Sequence, residues 1–354
     1  MRSRVVAAVL IGLGVLALVF AGGLAFVVEP RVAQLPYDMK LTQSVAEAPD
    51  ARFLQITKGV AKVESGTLRS TVTVQPDPKA TADLEGPLDG SAMVWLAGQE
   101  VVRTDTNAVV SAYSTSLAVD RRTGAARPWN KHWLDTGSDR QTVQYSGHMY
   151  KFPFGTERRT YDIFDRDILA TRPARFVGTE RIEGLETYRF VQEIRDGRQR
   201  LPEDRLKVLL GQLLRGATAG EVHYGNTRTV WVEPTTGQFI KVEERQNKSL
   251  VAGDGRSVVI LDAVFTYTDD TVRKAAETSG ANQGRLLLVG VYAPIGLAVL
   301  GLLLVAAGIV LAVRRLRRSG AEVPAGSRRR ARHAAPPSPD DAEAARPGES
   351  VGSS

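Results

Sequence analysis

The chain predicts a membrane-anchored α+β protein, in which a mostly antiparallel β domain, built as one curved sheet or as half-barrels, sits between two transmembrane helices. Three observations carry this. Two long stretches near the ends hold no charged residue, arginines flank each stretch on the side away from the centre, and the region between alternates apolar and polar residues with a period of two.

The first stretch, Val5 to Val28, is 24 residues long without a charge, and the second runs from Leu286 to Val313. At about 1.5 Å per helical residue, each exceeds the roughly 30 Å hydrocarbon core of a bilayer. Arg2 and Arg4 precede the first span, while Arg314, Arg315, Arg317 and Arg318 follow the second. The positive-inside rule therefore places both termini in the cytoplasm and residues 29–285 outside the plasma membrane. Gly23-Leu24-Ala25 offers the small residues a signal peptidase uses, but the apolar run is longer than an ordinary signal core, so an uncleaved anchor is expected. The chain thus divides into 1–28 (cytoplasmic end and first span), 29–285 (extracytoplasmic β-rich domain), 286–313 (second span) and 314–354.

Residues 314–354 are rich in Arg, Ala, Pro and Ser and poor in bulky apolar residues, a composition expected to be disordered. Arg328, Arg329, Arg330 and Arg332 add a basic cluster suited to anionic headgroups or to a stop-transfer signal. The formal charge of +7 comes mainly from this tail and the span flanks. The outer domain is close to neutral and shows no basic stripe with interleaved aromatics, which excludes a nucleic-acid partner. There is no cysteine, so neither disulfides nor thiolate metal sites hold the domain together and its core must be hydrophobic.

Strands are predicted over Thr67–Val74, Asn107–Val119, Ala174–Ile182, Glu186–Ile194 and Ser257–Thr268, with a hairpin at Gly184. In "TYRFVQEI", Tyr188, Phe190 and Ile194 share one face and Arg189 and Glu193 the other, as in a sheet with one wet side. "LPEDRLKVLLGQLLRG" predicts an amphipathic helix with acids in its first turn, expected to pack on the sheet or rest on a membrane surface. "DDTVRKAAETSGANQG" predicts a helix capped by Asp269 or Asp270 that runs into the second span.

"TVWVEPTTGQFIKVEE" (229–244) predicts two strands around a bulged turn, with Val230 and Val232 opposite Trp231 and Glu233, and Phe239 and Lys241 opposite Ile240 and Val242. "SLAVDRRTGAARPW" (116–129) echoes it 113 residues earlier, Val119, Asp120, Thr123 and Gly124 standing where Val232, Glu233, Thr236 and Gly237 stand. The echo has two readings, a structural repeat or shared turn chemistry.

Catalytic signals are lacking. His132, His148 and His223 are far apart in sequence, with no metalloprotease, nucleophile-elbow or phosphate-loop spacing, so no enzyme activity, cofactor or metal is expected. Asp162, Asp165 and Asp167 lack the glycine and closing glutamate of a calcium loop and read as a solvated strand edge.

"YKFPFGTERRTYDIFD" (150–165) and "FVGTERIEGLETYRF" (176–190), followed by a capped helix entering a span with Pro294 near its outer end, resemble an actinobacterial two-span membrane protein family catalogued as PorA-type porins. That resemblance implies an envelope protein and supplies no catalytic residues. More loosely, "GTERIEGLETYRF" with "VWVEPTTGQFIKVEE" is similar to bacterial lipid-carrier half-barrels, and the topology is similar to class B scavenger receptors.

The sequence reading is therefore an envelope protein that binds or transfers lipid or another apolar molecule in a preformed hollow, gaining about 0.8 kcal/mol per buried CH₂. Its expected lining is Phe152, Phe154, Tyr188, Phe190, Val230 and Val232. Two alternatives stand beside it: an oligomeric pore, and a scaffold or sensor. Membrane lipids are the expected partners, together with a second copy of the chain through the small-residue ridge Ala17, Ala21 and Ala25, which reads equally as the packing of the two spans of one chain against each other.

Overall fold

Among the described residues, twelve strands form one antiparallel sheet in the order β6-β5-β4-β3-β2-β1-β12-β11-β10-β9-β8-β7. The structure, a computed structural model, describes residues 2–137 and 140–319. The chain beyond Ser319, and with it the basic cluster at 328–332, lies outside these residues.

In chain order, α1 (Arg2–Gly23) continues through a π-helical turn (Leu24–Val28) into α2 (Glu29–Val32). The first meander follows: β1 (Thr42–Thr57), β2 (Val60–Pro76), α3 (Pro78–Ala82), β3 (Ala92–Arg103), β4 (Val109–Asp120), β5 (Trp133–Asp135) and β6 (Gln141–Thr142). The second comprises β7 (Tyr161–Asp165), β8 (Ala170–Ile182), β9 (Leu185–Gln199), α4 (Glu203–Leu213), β10 (Gly220–Val232), β11 (Phe239–Ala252) and β12 (Ser257–Tyr267). It leads into α5 (Asp269–Leu287), a second π-helical turn (Leu288–Tyr292) and α6 (Ala293–Ser319).

The sheet is therefore two six-stranded meanders placed in tandem and joined where β1 pairs with β12. It curls without closing. β7, at one edge, lies across the hollow from β4 and β5: Phe164 joins the core of Trp95, Leu117 and Leu134, and the Arg166 guanidinium stacks 4.1 Å from the Tyr113 ring. The connecting segment 143–156 lies along β7, where a parallel bridge pairs His148 with Ile163. One curved sheet, rather than two half-barrels, is the result.

The predicted strands are present, β2, β8 and β9 running beyond their sequence signals and β4 and β12 matching theirs to within two residues, while β1 and β3 carry no such signal. β1 carries Pro49 and a register shift between Glu47 and Arg52, which interrupts the alternation that would have marked it. β3 is buried almost continuously from Ala92 to Trp95, so it has no polar face to show. In the 229–244 ribbon, Val230 and Val232 face inward and Trp231 outward, as expected. A register shift opposite Trp231 and Val232 then puts Phe239 in the inner cluster with Val242, while Ile240 packs outward beneath α5. The extra residue of the bulge reversed the expected phase.

The inner face of the curl is filled in three layers. Apolar clusters around Phe152 and Trp95 form one end, Leu209, Leu210 and Leu214 of the α4 region close the other with Val222 and Leu250, and a polar belt lies between. α4 thus packs on the sheet, and Gln212 fixes it by accepting from Ala61 N (2.6 Å) and donating to Gly59 O (2.9 Å) at the tip of the β1–β2 hairpin. Each fully buried aromatic or leucine contributes about 1.5–3 kcal/mol.

α1 and α6 pack along each other so closely that a Cβ on Gly14 would stand 2.6 Å from Gly301 O. Ala21 is buried and Ala17 and Ala25 are half-buried. α1 and α6 make an extensive contact, in which Ala7, Ile11, Gly14 and Leu18 face Gly301, Val305 and Gly308.

Candidate functional site at the seam between the twin turns and the spans

The two echoed turns occupy equivalent places, each following the fourth strand of its meander. In the first, Asp120 Oδ1 accepts from Arg122 N (3.0 Å) and Thr123 N (2.9 Å), and Gly124 N donates to Asp120 O (2.8 Å). In the second, Glu233 Oε1 accepts from Thr235 N (2.9 Å), Oε2 accepts from Thr236 N (2.8 Å), and Gly237 N donates to Glu233 O (2.9 Å). Gly124 and Gly237 have φ of +69° and +72°, the left-handed region that glycine enters without a Cβ penalty. A carboxylate folding back onto the next amides, closed by a left-handed glycine, is one device used twice.

Residues 151–156 lie between the turns and bind both. Phe152 N donates to Gly237 O (2.8 Å), Gly155 N to Thr235 O (3.1 Å) and Thr156 N to Pro234 O (2.7 Å), while Phe154 N donates to Arg122 O (3.3 Å). A Cβ on Gly237 would collide with the carbonyl oxygens of Phe152 and Pro153; one on Gly124 would meet the Lys151 side chain.

Each turn grips a different span. The first holds the chain leaving α2: Leu35 N donates to Arg121 O (2.7 Å), Arg121 Nε to Leu35 O (2.8 Å) and Arg122 Nη2 to Pro30 O (2.8 Å). The second holds α5. Gln283 Nε2 donates to Glu233 Oε1 (2.9 Å), and the Ser279 and Thr236 hydroxyls share a 2.8 Å hydrogen bond. Glu233 is wholly buried and, among the described residues, no basic side chain stands within ion-pair distance, so amide, hydroxyl and side-chain amide donors hold it there.

Two open clefts lie along this seam. One, of about 560 Å³, includes Phe26, Val27, Arg31, Ser91, Asp120 and Arg122 in its walls. The other, of about 490 Å³, is bordered by Glu29, Arg122, Phe154, Thr235, Leu287 and Val291 among others. Lys151, stacked 3.8 Å from the Phe154 ring, donates to Phe152 O (2.8 Å), and burial pushes its ammonium down to about 7.

Four of the six expected lining residues, Phe152, Phe190, Val230 and Val232, fall in one cluster, with Tyr188 at its margin. They pack against one another and do not surround a hollow: the Phe152 ring lies 4.6 Å from Tyr161, 5.0 Å from Phe190 and 5.2 Å from Phe239. Phe154 belongs to the neighbouring Trp95 cluster.

The polar belt was misread in the sequence. Asp162 is exposed, but Asp165 and Asp167 are buried and are not a solvated edge. Asp165 Oδ2 accepts from Tyr224 Oη (3.0 Å) and Arg228 Nη2 (3.3 Å), and Asp167 Oδ1 accepts from Lys248 Nζ (2.7 Å) and Gln199 Nε2 (2.7 Å). Although burial opposes it, Lys248 and Arg166 hold Asp167 down to about 2. Burial pushes Asp165 up, against the pull of Arg228. Glu244, 2.6 Å from Arg228, completes the belt. The curl brings β7 over β10 and β11, and no local pattern signals that. Of the histidines, His223 is paired with Glu221, whereas burial pushes His132 down to about 4 and lowers His148.

An open twelve-stranded sheet is thus gripped at one end by the outer turns of two helices long and apolar enough to cross a membrane. The profile of the family described as Porin PorA matches residues 6–310, and the chain belongs to that family. Among its relatives, Porin PorA of Corynebacterium resistens is 26% identical over 406 residues, covering 89% of this chain and 98% of that protein. Porin PorA of Corynebacterium amycolatum is 24% identical over 281 residues, covering 65% of this chain and 73% of its own length.

Proposed function

We propose that this chain is a subunit of an envelope pore assembled from several copies, anchored in the plasma membrane with both termini cytoplasmic. The family match carries this reading, because it extends over both spans and the entire sheet. The form of the pore follows from packing. Apolar layers fill both ends of the sheet hollow, and neither span carries a charged side chain between Val5 and Val28 or between Leu286 and Val313. A conducting path needs polar lining, so it must run between subunits and not through one. Lipid transfer through the sheet has less behind it, since Phe152, Phe190, Val230 and Val232 of its expected lining pack against one another.

Purified full-length chain in planar bilayers tests this. Stepwise conductance should rise more steeply than in proportion to protein concentration, as an assembly requires. Conductance proportional to concentration would replace the assembly with a single-chain pore, and silence at all concentrations would remove the pore. The orientation is checked separately: reporters fused at Ser354 should report the cytoplasm and reporters inserted at Gly225 the outside.

A further inference from the structure

The seam clefts differ in charge. The larger spans the boundary of the apolar run: Phe26 and Val27 lie within it, while Arg31 lies just beyond its end. Phe26 is 83% exposed, the kind of aromatic side chain found at a membrane interface. Neither arginine has a carboxylate partner among the described residues. Arg122 spends one donor on Pro30 O, and the Arg31 side chain makes no hydrogen bond or ion pair there. The nearby acid, Asp120, is already occupied by two backbone amides and by Arg127 Nη1 at 3.3 Å. The other cleft holds Glu29 with Arg122 as its sole cation, which disfavours an anion there.

We propose that the cleft between Arg31 and Arg122 binds the phosphodiester headgroup of an anionic lipid from the outer leaflet, whose acyl chains run down over Phe26 and Val27. A guanidinium with free donors matches phosphate oxygens in pairs, and two of them face a volume of about 560 Å³, within the roughly 300–1,000 Å³ of small-molecule sites. The leaflet rests on the orientation proposed above; the site itself does not. Such a lipid would sit where the first turn grips its span and would tie the ectodomain to the bilayer surface.

The test is lipid retention by the full-length chain released from nanodiscs of phosphatidylcholine mixed with phosphatidylglycerol, read by native mass spectrometry. The wild type should retain phosphatidylglycerol preferentially. Arg31→Gln should lower retention about fivefold, the effect of one basic residue at an anionic surface, and Arg31→Gln/Arg122→Gln should lower it further. Lys207→Gln, on α4 at the far end of the sheet, should change nothing. The Arg31 side chain makes no hydrogen bond or ion pair among the described residues, so its single variant reads binding even where the double variant unfolds. Equal retention of the two lipids, or full retention by Arg31→Gln, would overturn the site, and displacement by inorganic phosphate would make it a site for free anion. Conductance enters none of these readouts, so failure here leaves the pore standing, and the converse holds.

Discussion

The turns at Asp120–Gly124 and Glu233–Gly237 share a chain path, a carboxylate cap and a left-handed glycine, yet they hold their spans differently. The first contacts α2 and the chain beyond it through Arg121, whose bond to Leu35 O is buried, and through Arg122, whose side chain is exposed, and its carboxylate, Asp120, is only partly buried. The second inserts a buried carboxylate into a ring of donors that includes two residues of α5. A repeated turn therefore does not imply a repeated grip. The second meander carries its full return strand, β11, and its turn is covered by α5 and by residues 152–156, whereas the first continues only to the three-residue β5. Water reaches the carboxylate of the first turn and is kept from that of the second, and the cost of removing each should differ accordingly.

The largest test removes the carboxylates. Glu233→Ala leaves several buried donors without an acceptor and should cost about 3 kcal/mol or more, whereas Asp120→Ala, at a partly solvated turn, should cost about 1–2 kcal/mol. Chemical denaturation of the full chain in detergent measures both. Equal losses would mean that burial is not what separates the grips.

Next come the glycines. Gly237→Val meets backbone oxygens that cannot step aside and should cost about 2–3 kcal/mol, while Gly124→Val meets the flexible Lys151 stem and should cost about 1–2 kcal/mol. Loss at Gly237 with none at Gly124 would retire the repeat. No loss at either would retire the shared turn geometry.

Acid should separate the halves as well. His132 and His148 lie in the segment that follows the first turn, and both are held neutral by burial. Their folded values lie below the ordinary 6.5, so the unfolded chain binds more protons and stability falls as pH drops from 6.5 towards the His132 value of about 4. After discounting for solvent screening, His132 accounts for about 2 kcal/mol of that loss. His132→Gln, which keeps an acceptor for Ala118 N, should flatten the decline. Hydrogen exchange should show Ala118 and Ala126 losing protection before Val230 and Val242, and simultaneous loss would show that the meanders unfold as one.

The smallest contrast is between the threonines. Thr236 bonds Glu233 Oε2 at 2.7 Å and Ser279, whereas the Thr123 hydroxyl accepts only from Ala125 N at 3.3 Å. Thr236→Ala should cost about 1–2 kcal/mol and Thr123→Ala less than about 0.5 kcal/mol. Thermal melts of the two variants check the order, and a reversed order would move the stronger grip to the first span.

The sequence by itself determined the two long apolar helices, the antiparallel strands from β8 to β12, the position of the twin turns and the start of α5, although its cap is Thr268, accepting from Thr271 N, and not Asp269 or Asp270. Each of these depends on interactions within about twenty residues: an uncharged run, a period of two, a cap, a glycine closing a short loop. Only the tertiary structure decided what those parts meet. Asp165 and Asp167 look solvated until the curl carries β7 over Arg228 and Lys248, more than sixty residues away in the chain. Phe152 and Phe190 look equally suited to lining a hollow or filling one, because an apolar side chain carries no mark of whether its neighbour is another side chain or a ligand. The same limit applied at the seam: Asp120 and Glu233 are both acids ahead of a turn, and only the packing of α5 against the second left one carboxylate partly exposed and the other dry.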